Sequence, residues 1–323
     1  MSVLVFTENW DGKFKKLSFE LISYATKLAE MLNTKSIALS IGEVEKSELE
    51  KLGKYGAHKI ISIINKNLDI LDNQVYSQLI ADIAQKEEVT VIVLANNNVG
   101  KALAPRLSVR LKAGLGAGVT KLPVNIDPFV VYKKVYSGNA FAEVRIKSEI
   151  KILTIAQNSF DLIETYNHAE IVNTEVFVAD GQVKTQMLEV QKQTGKILLT
   201  DAEIVVSGGR GMKTPDNWGP LIEMASLLGA ATACSRPVSD EGWRPHEEHT
   251  GQTGKIISPN LYFAIGISGA TQHLAGVSSS KVIVAINTDK DAPIFEAANY
   301  GIVGDAIKVL PKLVDAIKEL KGK

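Results

Sequence analysis

Short, nearly unbroken apolar runs alternate along this chain with longer stretches whose apolar residues recur three and four apart. VLVFTE (3–8) is followed by KLSFELISYATKLAEML (16–32), then by SIALSIG (36–42), KIISII (59–64), the helical VYSQLIADIAQKE (75–87) and TVIVLA (90–95). Continuous Val/Ile-rich runs of this length suit strands buried on both faces of a parallel sheet, with the helical stretches as crossovers. The expected class is therefore α/β, as two domains that are each a mostly parallel sheet flanked by helices. A length of 323 residues also favours two domains over one core.

The middle of the chain breaks the rhythm. From 121 to 178, FVVYKKVYSG, AFAEVRI, IKILTIA and AEIVNTEVFVA read as strands that extend the first sheet, some of them antiparallel. The polar stretch DGQVKTQMLEVQKQTG (180–195) is the expected linker between domains at 1–190 and 196–323. Beyond it the alternation resumes with EIVVSGG (203–209), the helical GPLIEMASLLGA (219–230), ATACSRP, LYFAIGIS, VIVAINTD (282–289) and an amphipathic closing helix, GDAIKVLPKLVDAIKELKGK.

Charge and cysteine usage narrow the function. Lys plus Arg and Asp plus Glu are 36 each, so the formal net charge is zero and no basic footprint for a nucleic-acid polymer exists. A single cysteine, Cys234, rules out a disulfide framework and any four-thiolate cluster built by this chain alone. Of the five histidines only His246 and His249 lie three apart, in a Pro-Glu-Glu loop, and no metal site is expected there. MSVLVFTENW carries no basic leader or cleavage site, and no stretch reaches the ~20 apolar residues of a membrane span. A bacterial cytoplasmic protein without direct membrane insertion is the expectation.

Two glycine-rich stretches compete as ligand turns. AGLGAGVT (113–120) follows a helical pattern, whereas the dinucleotide turn needs a strand before its glycines, so it reads as a helix end and turn. VVSGGRGMKTPDNWGPLIEM (205–224) has the required order of strand, glycines and helix, with Arg210 placed to pair with phosphate. LYFAIGISGATQHLAGV (261–277) is a second strand, small turn and helix in the same half. Ser268, Gly269 and Ala270 are small enough for a diphosphate to sit against them, with Gln272 and His273 in the first helical turn. Between the two turns, Ser235 and Arg236 end a strand and HTGQTGK forms a Gly-punctuated loop, segments that gather in one crevice at the strand ends of an open parallel sheet.

In order and spacing, SGGRG, CSRPVSDEGW, GQTGK, LYFAIGISGATQHLAG, VAINTD and PIFEAANYGIVGD resemble the alpha subunit of electron-transfer flavoproteins over the whole C-terminal domain. The N-terminal half is similar more loosely, through APRLSVRL and GNAFAEVRI. Thr288 stands where the family often has Lys, and Asn299 where Asp is common. The resemblance implies one FAD per heterodimer, held by a Rossmann-like C-terminal domain and covered by a beta subunit that contacts the N-terminal domain and carries AMP. It implies that Arg210 and the turn of Ser268, Gly269, Ala270, Thr271, Gln272 and His273 contact FAD, the turn reaching its phosphate and ribityl chain. Ser235 and Arg236 would lie at the flavin, and Gly251, Gln252 and Thr253 along the flavin and ribityl chain. His273 would face the pyrimidine carbonyl, and Asn287, Asp305 and Ala306 would hold the adenosine end. No catalytic residue is expected.

The implied role is an electron carrier and not an enzyme. It takes electrons from flavin dehydrogenases, such as the acyl-CoA dehydrogenases of fatty acid beta-oxidation, and passes them to a membrane electron-transfer flavoprotein–quinone oxidoreductase. An NADH-linked electron-bifurcating complex with a second flavin in the beta subunit is the alternative, and a nucleotide-binding sensor without redox chemistry is a third.

Overall fold

The computed structural model describes residues 1–138, 140–179, 181–189 and 197–322. The chain forms two compact units, one of Met1–Val135 with Ala140–Val190, the other of Tyr136–Asn139 with Gln191–Lys323. The expected domain limits at 190 and 196, and residue 180 with 190–195 of the expected linker, lie outside the described residues. Of the described part, Lys184 N and Thr185 Oγ1 donate to the Asp72 carboxylate at 3.2 and 3.1 Å, so this stretch is fastened to the first unit.

In the first unit the strands are β1 (Ser2–Phe6), β2 (Lys35–Ile41), β3 (Lys59–Ile63), β4 (Val89–Ala95), β5 (Gly114–Val119), β6 (Phe129–Val135), β7 (Ala140–Arg145), β8 (Lys151–Ile155) and β9 (Glu170–Thr174). They lie in the order β7-β6-β5-β8-β4-β1-β2-β3-β9, with the short Asn125–Ile126 paired to β6. Pairings from β5 through β9 are parallel, and β6 and β7 join antiparallel at one edge. Why the runs are unbroken is visible in β1. Val3 and Val5 point into one core and Leu4 and Phe6 into the other, on opposite faces of the sheet.

One reading from sequence is corrected here. AGLGAGVT is not a helix end and turn, because Gly114–Val119 is strand β5, paired with β8. Its glycines make room for neighbours: a Cβ on Gly116 would lie 3.1–3.2 Å from side-chain atoms of Leu153, Ile146 and Val131. The sheet fills that space from other strands, which local propensity cannot register.

The second unit has five parallel strands, β10 (Ile204–Gly208), β11 (Ala231–Cys234), β12 (Leu261–Ile265), β13 (Val282–Asn287) and β14 (Tyr300–Val303), in the order β11-β10-β12-β13-β14. Helices Gly219–Leu228 and Ala306–Leu320 supply Leu221, Met224, Leu310 and Val314 to the core on one face. Helix Thr271–Val277 and the short Ile294–Ala297 supply Val277 and Ile294 to the other. Counted within the unit, the strand order is 2-1-3-4-5. The direction of winding reverses between its first and third strands, β10 and β12, and a crevice opens there at the carboxyl ends.

Candidate functional site

The loops leaving β10 and β12 meet backbone to backbone. Gly211 N donates to Gly266 O at 3.0 Å, and Gly266, at φ +62°, would drive a Cβ to 2.8 Å from Gly211 Cα. Only a glycine pair lets the two turns approach this closely. The 249–255 loop closes the next side. Its root lies alongside the end of β11 through a parallel bridge, Cys234 to His249, with Thr250 N on Cys234 O at 3.0 Å. Its tip is tied to helix Thr271–Val277 by Gln252 N on Gln272 O at 2.7 Å. Below the loop, Arg244 Nε and Nη2 donate to the two Glu248 oxygens at 2.7 and 2.6 Å, while the guanidinium lies 5.2 Å from the Trp218 ring.

These segments enclose a cavity of about 520 Å3, within the range of small-molecule and cofactor sites. Of the residues expected at the site, Arg210, Ser235, Arg236, Gly251, Gln252, Thr253, Ser268, Gly269, Ala270, Gln272, His273 and Asn287 line it. Thr271, Asp305 and Ala306 do not. Thr271 opens the helix and is exposed, and Ala306 is buried at the start of the closing helix. The Asp305 carboxylate caps that helix through Ile307 N at 3.1 Å and pairs with Lys213 Nζ at 2.8 Å, and Lys213 with the cap holds it below the usual carboxylate range. Asp305 and Ala306 still follow β14, the strand beside β13 that ends in Asn287.

Asn287 fastens the turn after β12, its Nδ2 donating to Ile267 O at 2.9 Å. Arg236 is exposed and weakly paired with Asp240 at 3.3 Å, so its charge remains available to a ligand. The charged wall residues are Arg210 and Arg236, and no carboxylate joins them among the described residues. Helix Thr271–Val277 has only seven residues, so the tight turn before it counts for more than its dipole.

His273 is 7 % exposed, and its Nε2 lies 2.8 Å from the hydroxyl of fully buried Tyr262. Burial, helped by neighbouring His249, pulls its pKa down to about 4. The ring is therefore neutral at pH 7 and offers a hydrogen bond and not a charge. Its Nδ1 makes no hydrogen bond of normal geometry.

Sequence reasoning missed Gly211, Pro237, His249, Thr250, Gly266 and Ile267 on the wall. By name His249 was weighed as a metal ligand, while the loop HTGQTGK that it opens was placed at the crevice as a whole. It is 3 % exposed and drawn below its ordinary range by burial and by His246, whose ring centroid lies 5.5 Å away. Among the described residues no group of three His, Cys, Asp or Glu side chains could hold a metal ion. Cys234 is buried, its thiol pushed up to about 12 by burial first, which leaves it unreactive.

Residues 3–179 match the family model described as electron transfer flavoprotein domain, and residues 198–278 the one described as electron transfer flavoprotein FAD-binding domain. The chain is 36% identical over 328 residues to the electron transfer flavoprotein subunit alpha of Megasphaera elsdenii, covering 99% of this chain and 97% of that one. It is 36% identical over 321 residues to the subunit of the same name in Bacillus subtilis, with 98% of each covered. The acryloyl-CoA reductase electron transfer subunit beta of Anaerotignum propionicum is 33% identical, over 99% of this chain and 96% of that one. The chain belongs to the electron transfer flavoprotein alpha-subunit family. Within that family's FAD-binding domain fall the two glycine turns, the 249–255 loop and the His273 helix, so all of the cavity wall but Asn287 lies inside the matched residues. No helix among the described residues is long and apolar enough to cross a membrane.

Proposed function

We propose that this chain is the FAD-carrying subunit of a heterodimeric electron transfer flavoprotein, and that the cavity between the ends of β10 and β12 holds the cofactor. The observation that carries the reading is the wall itself, two arginines and two apposed glycine turns at the switch in strand order, with no carboxylate among its described residues. A diphosphate meets positive charge and open backbone there and nothing that repels it. Arg210, Ser268 and Gly269 hold the diphosphate, and Gln252, Thr253 and Gln272 orient the chain leading to the ring. Ser235, Arg236 and His273 surround the ring, while Asn287, with Asp305 and Ala306 one strand further on, serves the adenosine end.

Bound FAD supplies the carrier chemistry, accepting electrons from one partner and releasing them to another. The residues of this chain bias that exchange by what they present to the ring. Arg236 brings a mobile positive charge, and His273 a buried hydrogen bond. Removing a hydrogen bond to a charged group costs about 1.5–3 kcal/mol. His273→Ala is therefore expected to lower the first reduction potential of the flavin by about 65–130 mV, at about 59 mV per tenfold. Binding of oxidised FAD should weaken less than this, because Arg210 and the turn at 268–269 remain. Potentiometric titration of both proteins reads this, and an unchanged first potential assigns His273 a packing role.

In this reading the partner is a beta subunit that contacts the first unit, covers the flavin and carries AMP, with one FAD per heterodimer. Flavin dehydrogenases such as acyl-CoA dehydrogenases donate electrons, and a membrane quinone oxidoreductase accepts them from a cytoplasmic carrier. The relative named as an acryloyl-CoA reductase subunit favours keeping a second reading, an NADH-linked bifurcating complex. Co-expression with a beta subunit, followed by an absorption spectrum and FAD and AMP stoichiometry, tests both. A yellow heterodimer with one FAD and one AMP is expected, along with loss of flavin when this chain is expressed alone. A second flavin with direct NADH reduction moves the assignment to the bifurcating complex. A colourless complex, or a flavin-saturated monomer on a sizing column, overturns the carrier reading.

A further inference from the structure

Tyr262 is the second residue of β12, is fully buried, and ends against the imidazole of His273 eleven residues later. A tyrosine at such a position needs a partner for its hydroxyl, and the only ring nitrogen it meets is Nε2, at 2.8 Å. Burial raises the phenol above its ordinary range, so it keeps its proton, and the hydroxyls of Ser207 and Thr250 stand beside it. A phenol that keeps its proton can donate to a neutral imidazole or accept from it, and Nε2 is the acceptor when the ring proton resides on Nδ1. That other nitrogen, Nδ1, is buried in the cavity wall and makes no hydrogen bond of normal geometry, although the Thr250 backbone stands close enough to the ring to raise its pKa against the effect of burial. A buried donor left unmet is costly, and a ligand acceptor placed there would recover that cost.

We propose that Tyr262 is a positioning residue for the cofactor site: its hydroxyl holds His273 Nε2 as an acceptor, so that the ring carries its proton on Nδ1 and donates it to a carbonyl oxygen of the bound ring system. The inference rests on the assignment of the cavity to FAD, and it assigns Tyr262 no contact with the ligand. Its consequence is a separation of effects. Tyr262→Phe keeps the ring that packs in the core and removes only the oxygen, freeing the imidazole to exchange tautomers. Oxidised FAD, gripped at its diphosphate, should bind nearly as before. The preference for reduced over oxidised flavin should fall about two- to fivefold, which is roughly 20–40 mV at about 59 mV per tenfold.

The test uses the full-length chain in complex with its partner, with histidine labelled by nitrogen-15. In the flavin-stripped complex, the His273 nitrogen shifts should report the proton on Nδ1, and Tyr262→Phe should populate the Nε2–H form. In the flavin-loaded complex, Tyr262→Phe should lower the first potential, whereas the same change made in His273→Ala should produce no further shift. Wild-type protein with its proton on Nε2 overturns the proposal. So does a Tyr262→Phe protein that melts earlier but keeps both tautomer and potential, or a potential shift that adds to that of His273→Ala. The stripped-complex measurement needs no flavin, so a protein that carries none would defeat the FAD assignment while leaving the tautomer result to be read independently.

Discussion

Arg244→Ala is expected to destabilise the second unit by about 3–5 kcal/mol, the usual cost of breaking a buried ion pair from one side. Both partners are largely enclosed, with side-chain exposures of 18% and 9%, and the guanidinium is also sandwiched against buried Trp218. Glu248 immediately precedes His249 and Thr250, so the carboxylate that loses its forked donor sits at the root of the loop that walls the cavity. The loss should therefore register twice, as a lower urea midpoint and as release of FAD. Arg244→Met with Glu248→Leu should recover most of the stability, because two apolar residues remove the carboxylate along with the arginine that neutralises it. A cost below about 1 kcal/mol for Arg244→Ala would place the pair among surface ion pairs and detach it from the loop.

Gly276→Ala should weaken FAD binding by about ten- to a hundredfold with a smaller effect on melting. A Cβ there would stand 2.5, 2.6 and 2.7 Å from Gly251 Cα, N and C, which are backbone atoms that cannot swing aside. Overpacking of this kind costs about 1–3 kcal/mol, and each 1.4 kcal/mol is about tenfold in affinity. The strain would be relieved by moving the 251–253 tip, where Gln252 and Thr253 line the cavity. Gly219→Ala is the control, because a Cβ there meets nothing within 4 Å. Equilibrium dialysis against FAD separates the two variants, and equal affinities would mean the loop yields without consequence.

The parts of this molecule that were legible in its sequence are those where local pattern and final environment agree. The unbroken runs of β1, β4, β10 and β13 are apolar because both faces of each strand are covered, and they read as buried parallel strands for that reason. The small turn at 268–270 and the glycines at 208–211 were legible because few functions other than close approach ask for such residues between a strand and a helix. Strand β5 was not legible, since its glycines are chosen for the side chains of Ile146, Leu153 and Val131 that fill their places. His249 and Thr250 were placed at the crevice only as part of the loop HTGQTGK and were not named as wall residues. They reach the cavity by pairing laterally with the end of β11, His249 beside Cys234 across a gap of fourteen residues, and such a pairing has no signature along the chain. The partner of Tyr262 belongs to the same class, visible only once β12 and the helix that follows it are folded back on one another.

The meeting of Gly211 with Gly266 has a consequence for inheritance. Every base change that converts a glycine codon into that of another amino acid adds at least a Cβ, because glycine is the only residue without one. At Gly266 the first such atom meets the main chain of Gly211 and Met212 at 2.8–3.2 Å, and at Gly211 it meets the main chain of Gly266 at 2.5–3.1 Å. Neither position has a tolerable neighbour in the genetic code, and a change at one cannot be compensated by a change at the other, since both are already the smallest residue available. Drift can retune the arginines and histidines that line the cavity, but the spacing between the two turns leaves selection no intermediate through which to alter it.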